Sequence, residues 1–136
     1  MDSIEIEILR ACRTIAVVGL SSAPDRSSHG VAAYLQARGY RIVPVNPKET
    51  EVLGERAYAR LEDIPEPVDC VNVFRRPEHV PAIAASAIRI GAKALWLQQG
   101  IAHESAETAR QAGLLVVEDR CMAVAHRFAA HAGKLG

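Results

Sequence analysis

The chain has 136 residues, with 16 basic and 16 acidic side chains and a formal net charge of zero. Its length predicts one domain over residues 1–136, large enough to bury a core without metals or disulfides. No basic stripe interleaved with aromatics occurs, which argues against nucleic acid as a partner. No apolar stretch approaches the roughly 20 residues that span a bilayer, which argues against a membrane.

The first predicted element is a leading helix over Met1–Arg13, with Ile4, Ile8 and Leu9 on one face. This segment lacks the basic start and apolar run of a signal peptide. Cys12, Cys70 and Cys121 are odd in number and widely spaced, and suggest neither a zinc site nor a redox pair. Both features predict a reducing, cytoplasmic setting. Strands follow at Thr14–Gly19, Tyr40–Asn46, Asp69–Phe74, Ala94–Gln98 and Leu114–Glu118. Most are continuous Val/Ile/Leu runs, the pattern of strands covered on both faces of a parallel sheet.

Helices are predicted at Ser28–Arg38, Glu78–Ile90, His103–Ala112 and Met122–His131. In the second of these, Val80, Ile83, Ala84, Ala87 and Ile88 repeat at helical spacing. Gly39, Gly91 and Gly113 stand where a helix reverses into a strand. The stretch Pro47–Val68 carries Pro47, Gly54, Pro65 and Pro67 and predicts a loop with a short helical run near Ala59–Asp63. The alternation implies an α/β, Rossmann-like, doubly wound parallel sheet of five strands in the order 3-2-1-4-5. Ligands of such sheets bind beyond the C-terminal strand ends at the switch point, expected here at the first and fourth strands.

Four strand ends carry candidate binding residues. After the first strand, Gly19 lets backbone approach a ligand, and Ser21, Ser22 and Ser27 add hydroxyls. Arg26 adds a planar fork suited to phosphate. Ser28, with Ser27 as its alternative, is expected to cap the following helix, whose N-terminus favours anions. The dinucleotide fingerprint G-x-G-x-x-G is absent, since the next glycine after Gly19 is Gly30. After the second strand, Val45-Asn46-Pro47-Lys48 places a base where an NAD site has an acid, favouring a phosphorylated ribose such as that of NADP or coenzyme A. Glu49 and Glu51 follow closely, so charge alone leaves both ligands open.

Phe74-Arg75-Arg76 ends the third strand, where Phe74 could stack on adenine and Arg75 could reach a pyrophosphate. The same residues also fit a core Phe and a surface ion pair. Gln98-Gln99-Gly100 ends the fourth strand and offers amides to an amide ligand such as pantetheine. Cys121, at the start of the last helix beside Arg120, fits either a reactive thiol or a small buried hydrophobe. His126 and His131 do not share a helix face well, and no metal site is predicted.

These stretches resemble a known family. Ala16-Val17-Val18-Gly19-Leu20-Ser21, Asp25-Arg26-Ser27-Ser28-His29-Gly30-Val31, Gly39-Tyr40-Arg41-Ile42-Val43-Pro44-Val45-Asn46-Pro47, Val71-Asn72-Val73-Phe74-Arg75-Arg76-Pro77, Ala94-Leu95-Trp96-Leu97-Gln98-Gln99-Gly100 and Asp119-Arg120-Cys121 look like the small stand-alone CoA-binding proteins. Those proteins are similar to the N-terminal domain of the succinyl-CoA synthetase alpha subunit. The resemblance implies a Rossmann-like fold that binds coenzyme A. By it, the Gly19–Ser28 loop cradles phosphates, and Asn46-Pro47-Lys48 and Phe74-Arg75-Arg76 flank the nucleotide. Gln98, Gln99 and Gly100 would then line the pantetheine path. In the synthetase a separate domain supplies a phosphorylated histidine, and the resemblance brings no reaction to this chain. After Asp119-Arg120-Cys121 the chain departs from the family's more polar continuation and reads Met122-Ala123-Val124-Ala125-His126.

The leading expectation is a non-catalytic or regulatory module for CoA or acyl-CoA, acting as a monomer or homodimer. The alternatives are an NAD(P)-binding redox sensor, a CoA-thioester enzyme using Cys121 or His29, and a thiol-protection protein in which Cys121 forms a mixed disulfide with CoA.

Overall fold

The computed structural model describes residues 3–135. Its elements are α1 (Ser3–Ala11), β1 (Thr14–Val18), α2 (Ser27–Ala37), β2 (Arg41–Val45), β3 (Glu51–Val52), β4 (Glu55–Arg56), β5 (Cys70–Val73), α3 (Val80–Arg89), β6 (Ala94–Leu97), α4 (Ala106–Gln111), β7 (Leu115–Val117) and α5 (Met122–His131). The expected start of the leading helix at Met1 lies outside the described residues. All five predicted strands form, and they build one parallel sheet. No helix among the described residues is long and apolar enough to cross a membrane.

Side-chain alternation along each strand divides the core into two layers. Ile15 and Val17 of β1, Cys70 of β5, Ala94 and Trp96 of β6 and Val117 of β7 face α1, α2 and α5. Ala16, Val18, Val71, Val73, Leu95, Leu97 and Val116 face α3 and α4. Both faces are therefore dry, which explains the unbroken apolar runs. Trp96 is fully buried, and its indole N–H donates to the Arg120 carbonyl at 2.9 Å. His126, on the inner side of α5, meets the Tyr34 hydroxyl at 2.9 Å and the ring of Tyr40 edge-on. Burial and then the Arg38 charge hold this imidazole below its ordinary range, so it packs as a neutral ring.

The strand order is β2-β1-β5-β6-β7. Counting only the five strands of this sheet, that is 2-1-3-4-5 rather than the expected 3-2-1-4-5. Pro44 gives the physical reason. Its carbonyl faces the outer edge of β2, where it accepts the Tyr58 N–H at 3.0 Å, and Tyr58 returns its carbonyl to the Asn46 N–H at 2.9 Å. The nitrogen of Pro44 faces that same edge and has no hydrogen to give. A further strand there would lose a ladder bond, so Pro44 marks β2 as an edge strand.

The crossover between β2 and β5 covers that edge. The Arg41 guanidinium binds Glu66 through two bonds of 2.8 Å and Glu55 through a third of 2.8 Å. The crossover also contains the hairpin β3–β4, which the sequence did not suggest. Its turn puts Leu53 at φ 56 and Gly54 at φ 77. Two-residue turns with positive φ usually announce themselves by Asn-Gly or Asp-Gly, and Leu53 hides the signal. The Gln36 amide holds the Leu53 carbonyl at 3.1 Å. The predicted helical run near Ala59–Asp63 is a single 3-10 turn at Leu61–Asp63. Gly39, Gly91 and Gly113 take positive φ after α2, α3 and α4, as expected.

Asp69 organises the opposite, N-terminal end of the sheet. Its carboxylate accepts the N–H groups of Arg13 and Thr14, both at 2.9 Å, and lies 3.5 Å from the Lys93 ammonium. Its backbone bonds Thr14 on one side and Lys93 and Ala94 on the other. Partial burial pushes the carboxyl pKa up, but the Thr14 and Arg13 N–H groups and Lys93 outweigh it and leave the group below its ordinary value. A carboxyl depressed in the folded state stabilises fully above the unfolded value near 3.9, and that contribution disappears as pH falls through the folded pKa. Asp69→Asn should therefore cost about 1–2 kcal/mol at neutral pH. In urea titrations from pH 7 to pH 3, the gap between variant and parent should close as the pH drops.

Candidate functional site at the switch point

The corrected strand order moves the switch point to β1 and β5, so the crevice opens between Gly19 and Phe74. Gly19 has φ +88, and a Cβ there would stand 2.8 Å from the Phe74 carbonyl oxygen and 3.1 Å from Arg75 Cδ. Only glycine lets the two crossing loops approach this closely. The Gly19 N–H donates to the buried Val45 carbonyl at 2.8 Å, and the Phe74 N–H donates to Val18 at 2.9 Å. Three strand ends are thereby pinned side by side.

The first loop is braced by its own serines and by the loop after β2. The Asn46 amide donates to the Leu20 carbonyl at 3.0 Å and accepts the Lys48 N–H at 3.0 Å. Glu49 accepts the Ser22 N–H at 2.9 Å. Ser28 does not cap α2 as expected. The helix begins at Ser27 with Arg26 at its N-cap, and neither Arg26 nor any other side chain makes a capping bond there. The buried Ser28 hydroxyl instead accepts the Ser21 N–H at 3.1 Å, and the Ser21 hydroxyl accepts the Ala23 N–H at 3.1 Å. The N–H groups of residues 21–23 are thus committed to protein acceptors, Ser28, Glu49 and Ser21 in turn. Anion-binding capacity rests on side chains and on the start of α2, whose first amides lack helical partners.

A cleft of about 460 Å³ results, lined by Gly19, Ser21, Arg26, Asn46, Pro47, Lys48, Glu49, Phe74, Arg75 and Arg76. All but Glu49 were candidates from the sequence. Four cationic side chains stand against the single carboxylate of Glu49. Arg75 donates to His79 Nε2 at 3.2 Å across the 3-10 turn Pro77–His79, which requires that ring nitrogen to be unprotonated. The sequence placed Glu49 near the site but gave no sign that it would bridge the two loops.

The candidates after β6 sit elsewhere. Gln98 is buried, and its carbonyl oxygen accepts the Met122 N–H at 3.3 Å, bracing the first turn of α5. The Gly100 N–H donates to the Asp119 carboxylate at 2.7 Å. Gln99 is exposed and lines a second cleft of about 460 Å³, formed with Glu5, Asp119, Arg120, Cys121, Val124, Ala125 and Phe128. Among the described residues, no three His, Cys, Asp or Glu side chains gather as a metal site requires.

The structural role of Gly19 is testable by contrast. Gly39 also has positive φ, but a Cβ there meets nothing within 4 Å. Gly39→Ala should cost about 1 kcal/mol for backbone conformation alone. Gly19→Ala should cost about 2–3 kcal/mol, because the Phe74 carbonyl must also move. Urea denaturation of both variants measures the difference.

The family model described as a CoA binding domain matches residues 13–127. The protein YneT of Bacillus subtilis, itself uncharacterized, is 46% identical over 121 residues, covering 88% of this chain and 90% of YneT. A hypothetical protein from Pyrococcus horikoshii OT3 superposes with a TM-score of 0.90 at 38% identity, covering 94% of this chain and 91% of that one. An ADP-forming acetate–CoA ligase II of Archaeoglobus fulgidus is 27% identical over 95 residues; the match takes in 68% of this chain but 14% of the ligase. The parallel sheet, the crevice at its switch point and the match across residues 13–127 lead to one assignment: this chain belongs to the CoA binding domain family.

Proposed function

We propose that residues 1–136 form one domain that binds coenzyme A, free or acylated, and acts as a binding or regulatory module. The observation that carries this reading is the cluster of Arg26, Lys48, Arg75 and Arg76 around the glycine-closed crevice at Gly19. Coenzyme A presents a pyrophosphate and a 3′-phosphate, and four cations suit that charge far better than a ligand with one phosphate would need. In this reading Arg26 and Arg75 take the pyrophosphate and Lys48 the ribose phosphate. Phe74 and Pro47 offer apolar contact to the adenine, with Asn46 fixing the turn at Pro47-Lys48. Gln99 and Gly100 lie on the way toward the pantetheine end, with Gln98 holding α5 in place behind them.

The absence of the glycine fingerprint separates this site from NAD sites. Glu49, the acid nearest the end of β2, already accepts the Ser22 N–H, so it braces the loops rather than standing ready for a ribose. Calorimetric titration with CoA, NADPH and NADH in parallel decides the matter. Binding of CoA alone is expected, and binding of a nicotinamide nucleotide alone would overturn the reading. Arg26→Ala should weaken CoA by roughly tenfold to a hundredfold, the value of one or more charge-assisted phosphate contacts. Arg26 is exposed, so the thermal midpoint of the variant should stay near that of the parent. Unchanged CoA affinity would place the phosphates elsewhere.

A further inference from the structure

We infer that the second cleft receives the acyl group of an acyl-CoA, and that it selects neutral apolar acyl chains over acid-terminated ones. This inference rests on the CoA reading above.

Position comes first. The cleft lies at the C-terminal ends of β6 and β7, on the same side of the sheet as Gly19. With strands about 4.8 Å apart, it stands roughly 10–15 Å from the end of β1. A pantetheine arm has about the reach of four or five extended residues, roughly 15 Å. A CoA with its phosphates at Arg26 and Arg75 therefore delivers its sulfur to this cleft, past Gln99 on the cleft wall.

The lining supplies the chemistry. Cys121, Val124, Ala125 and Phe128 recur at the spacing of one helix face, so α5 presents a continuous apolar stripe to the cleft. Val124 is 43% exposed and Phe128 65% exposed, two of the three large apolar side chains left in solvent among the described residues. The third, Ile4, belongs to α1, whose Glu5 forms part of the same cleft. Exposed apolar surface gathered in a concavity favours an apolar occupant.

Charge sets the selectivity. Arg120 is the one guanidinium on the wall, which also carries the carboxylates of Glu5 and Asp119. It lies 3.5 Å from buried Glu5 and donates to the Asp119 main-chain carbonyl at 2.9 Å, with the Asp119 carboxylate held by Gly100. An acyl group ending in a carboxylate would bring a third negative charge to a single, already matched cation.

Titration of the full chain with CoA, acetyl-CoA, butyryl-CoA, hexanoyl-CoA and succinyl-CoA tests this. A half-open apolar cleft should give roughly twofold tighter binding per added methylene, or roughly fifteenfold over the methylenes that separate acetyl from hexanoyl. Succinyl-CoA should bind roughly fivefold or more weakly than butyryl-CoA, whose acyl chain has the same number of carbons and ends in a methyl instead of a carboxylate. Phe128→Ala, at an exposed position, should collapse the hexanoyl advantage to roughly threefold or less and leave free CoA within about twofold of the parent. If free CoA does not bind, the CoA reading fails, and the acyl inference fails with it. If CoA binds but acyl length has no effect, or succinyl-CoA binds as well as butyryl-CoA, the acyl inference alone is overturned. It is equally overturned if Phe128→Ala breaks a dimer in sedimentation while acyl selectivity stays flat, because a second copy then covers the cleft.

Discussion

The structure depends on one close approach, the meeting of Gly19 with the Phe74 carbonyl. Neighbouring parallel strands whose crossovers leave in opposite directions open a crevice at their tips. How near the two departing loops come to each other decides what the crevice can hold. At Gly19 the chain gives up a side chain and takes a left-handed conformation, and the backbone of Phe74 and Arg75 fills the space. Arg75 then lines the same cleft as Arg26, together with the Asn46 turn. A bulkier residue would separate the cations as well as strain the loop.

The site divides its polar groups into those that hold the loops and those that remain for a ligand. Ser21, Ser28, Asn46 and Glu49 spend hydrogen bonds on the loops themselves. These bonds order the loops in the folded protein, so less conformational freedom remains to be lost on binding. The charges of Arg26, Lys48 and Arg76 stay at the exposed rim, where they raise encounter rates with an anion as well as affinity. The serines read from sequence as phosphate donors thus turn out to be partly scaffolding.

Much of this was legible in the sequence, and the gaps have specific causes. The five strands and their burial on both faces follow from short apolar runs such as Ala16-Val17-Val18 and Leu95-Trp96-Leu97, too short for helices and bounded by turn residues such as Gly19 and Gly100. The strand order was misjudged because run composition carries no neighbour information. Pro44 did carry it, since a proline inside a strand names an edge. The β3–β4 hairpin was hidden because Leu53 occupies a position where asparagine or aspartate gives the usual signal. Nine of the cleft residues were found because strand ends are a topological certainty in this fold. The role of Ser28 was missed because its hydroxyl had two possible sets of amides, one on its own helix and one seven residues back, and only the packed loop decides between them.

The closed edge of β2 also bears on how this sheet can meet another. Tyr58 takes the outward-facing groups of Pro44 and Asn46, and Arg41 fastens Glu55 and Glu66 across the same border. At the far side β7 offers a ladder of three residues. A strand from a second molecule would find one border occupied and the other too short to template a lasting pair. Growth of the sheet from copy to copy, the route by which open α/β domains begin to aggregate, is opposed at one border by Pro44 and Tyr58 and at the other by the shortness of β7.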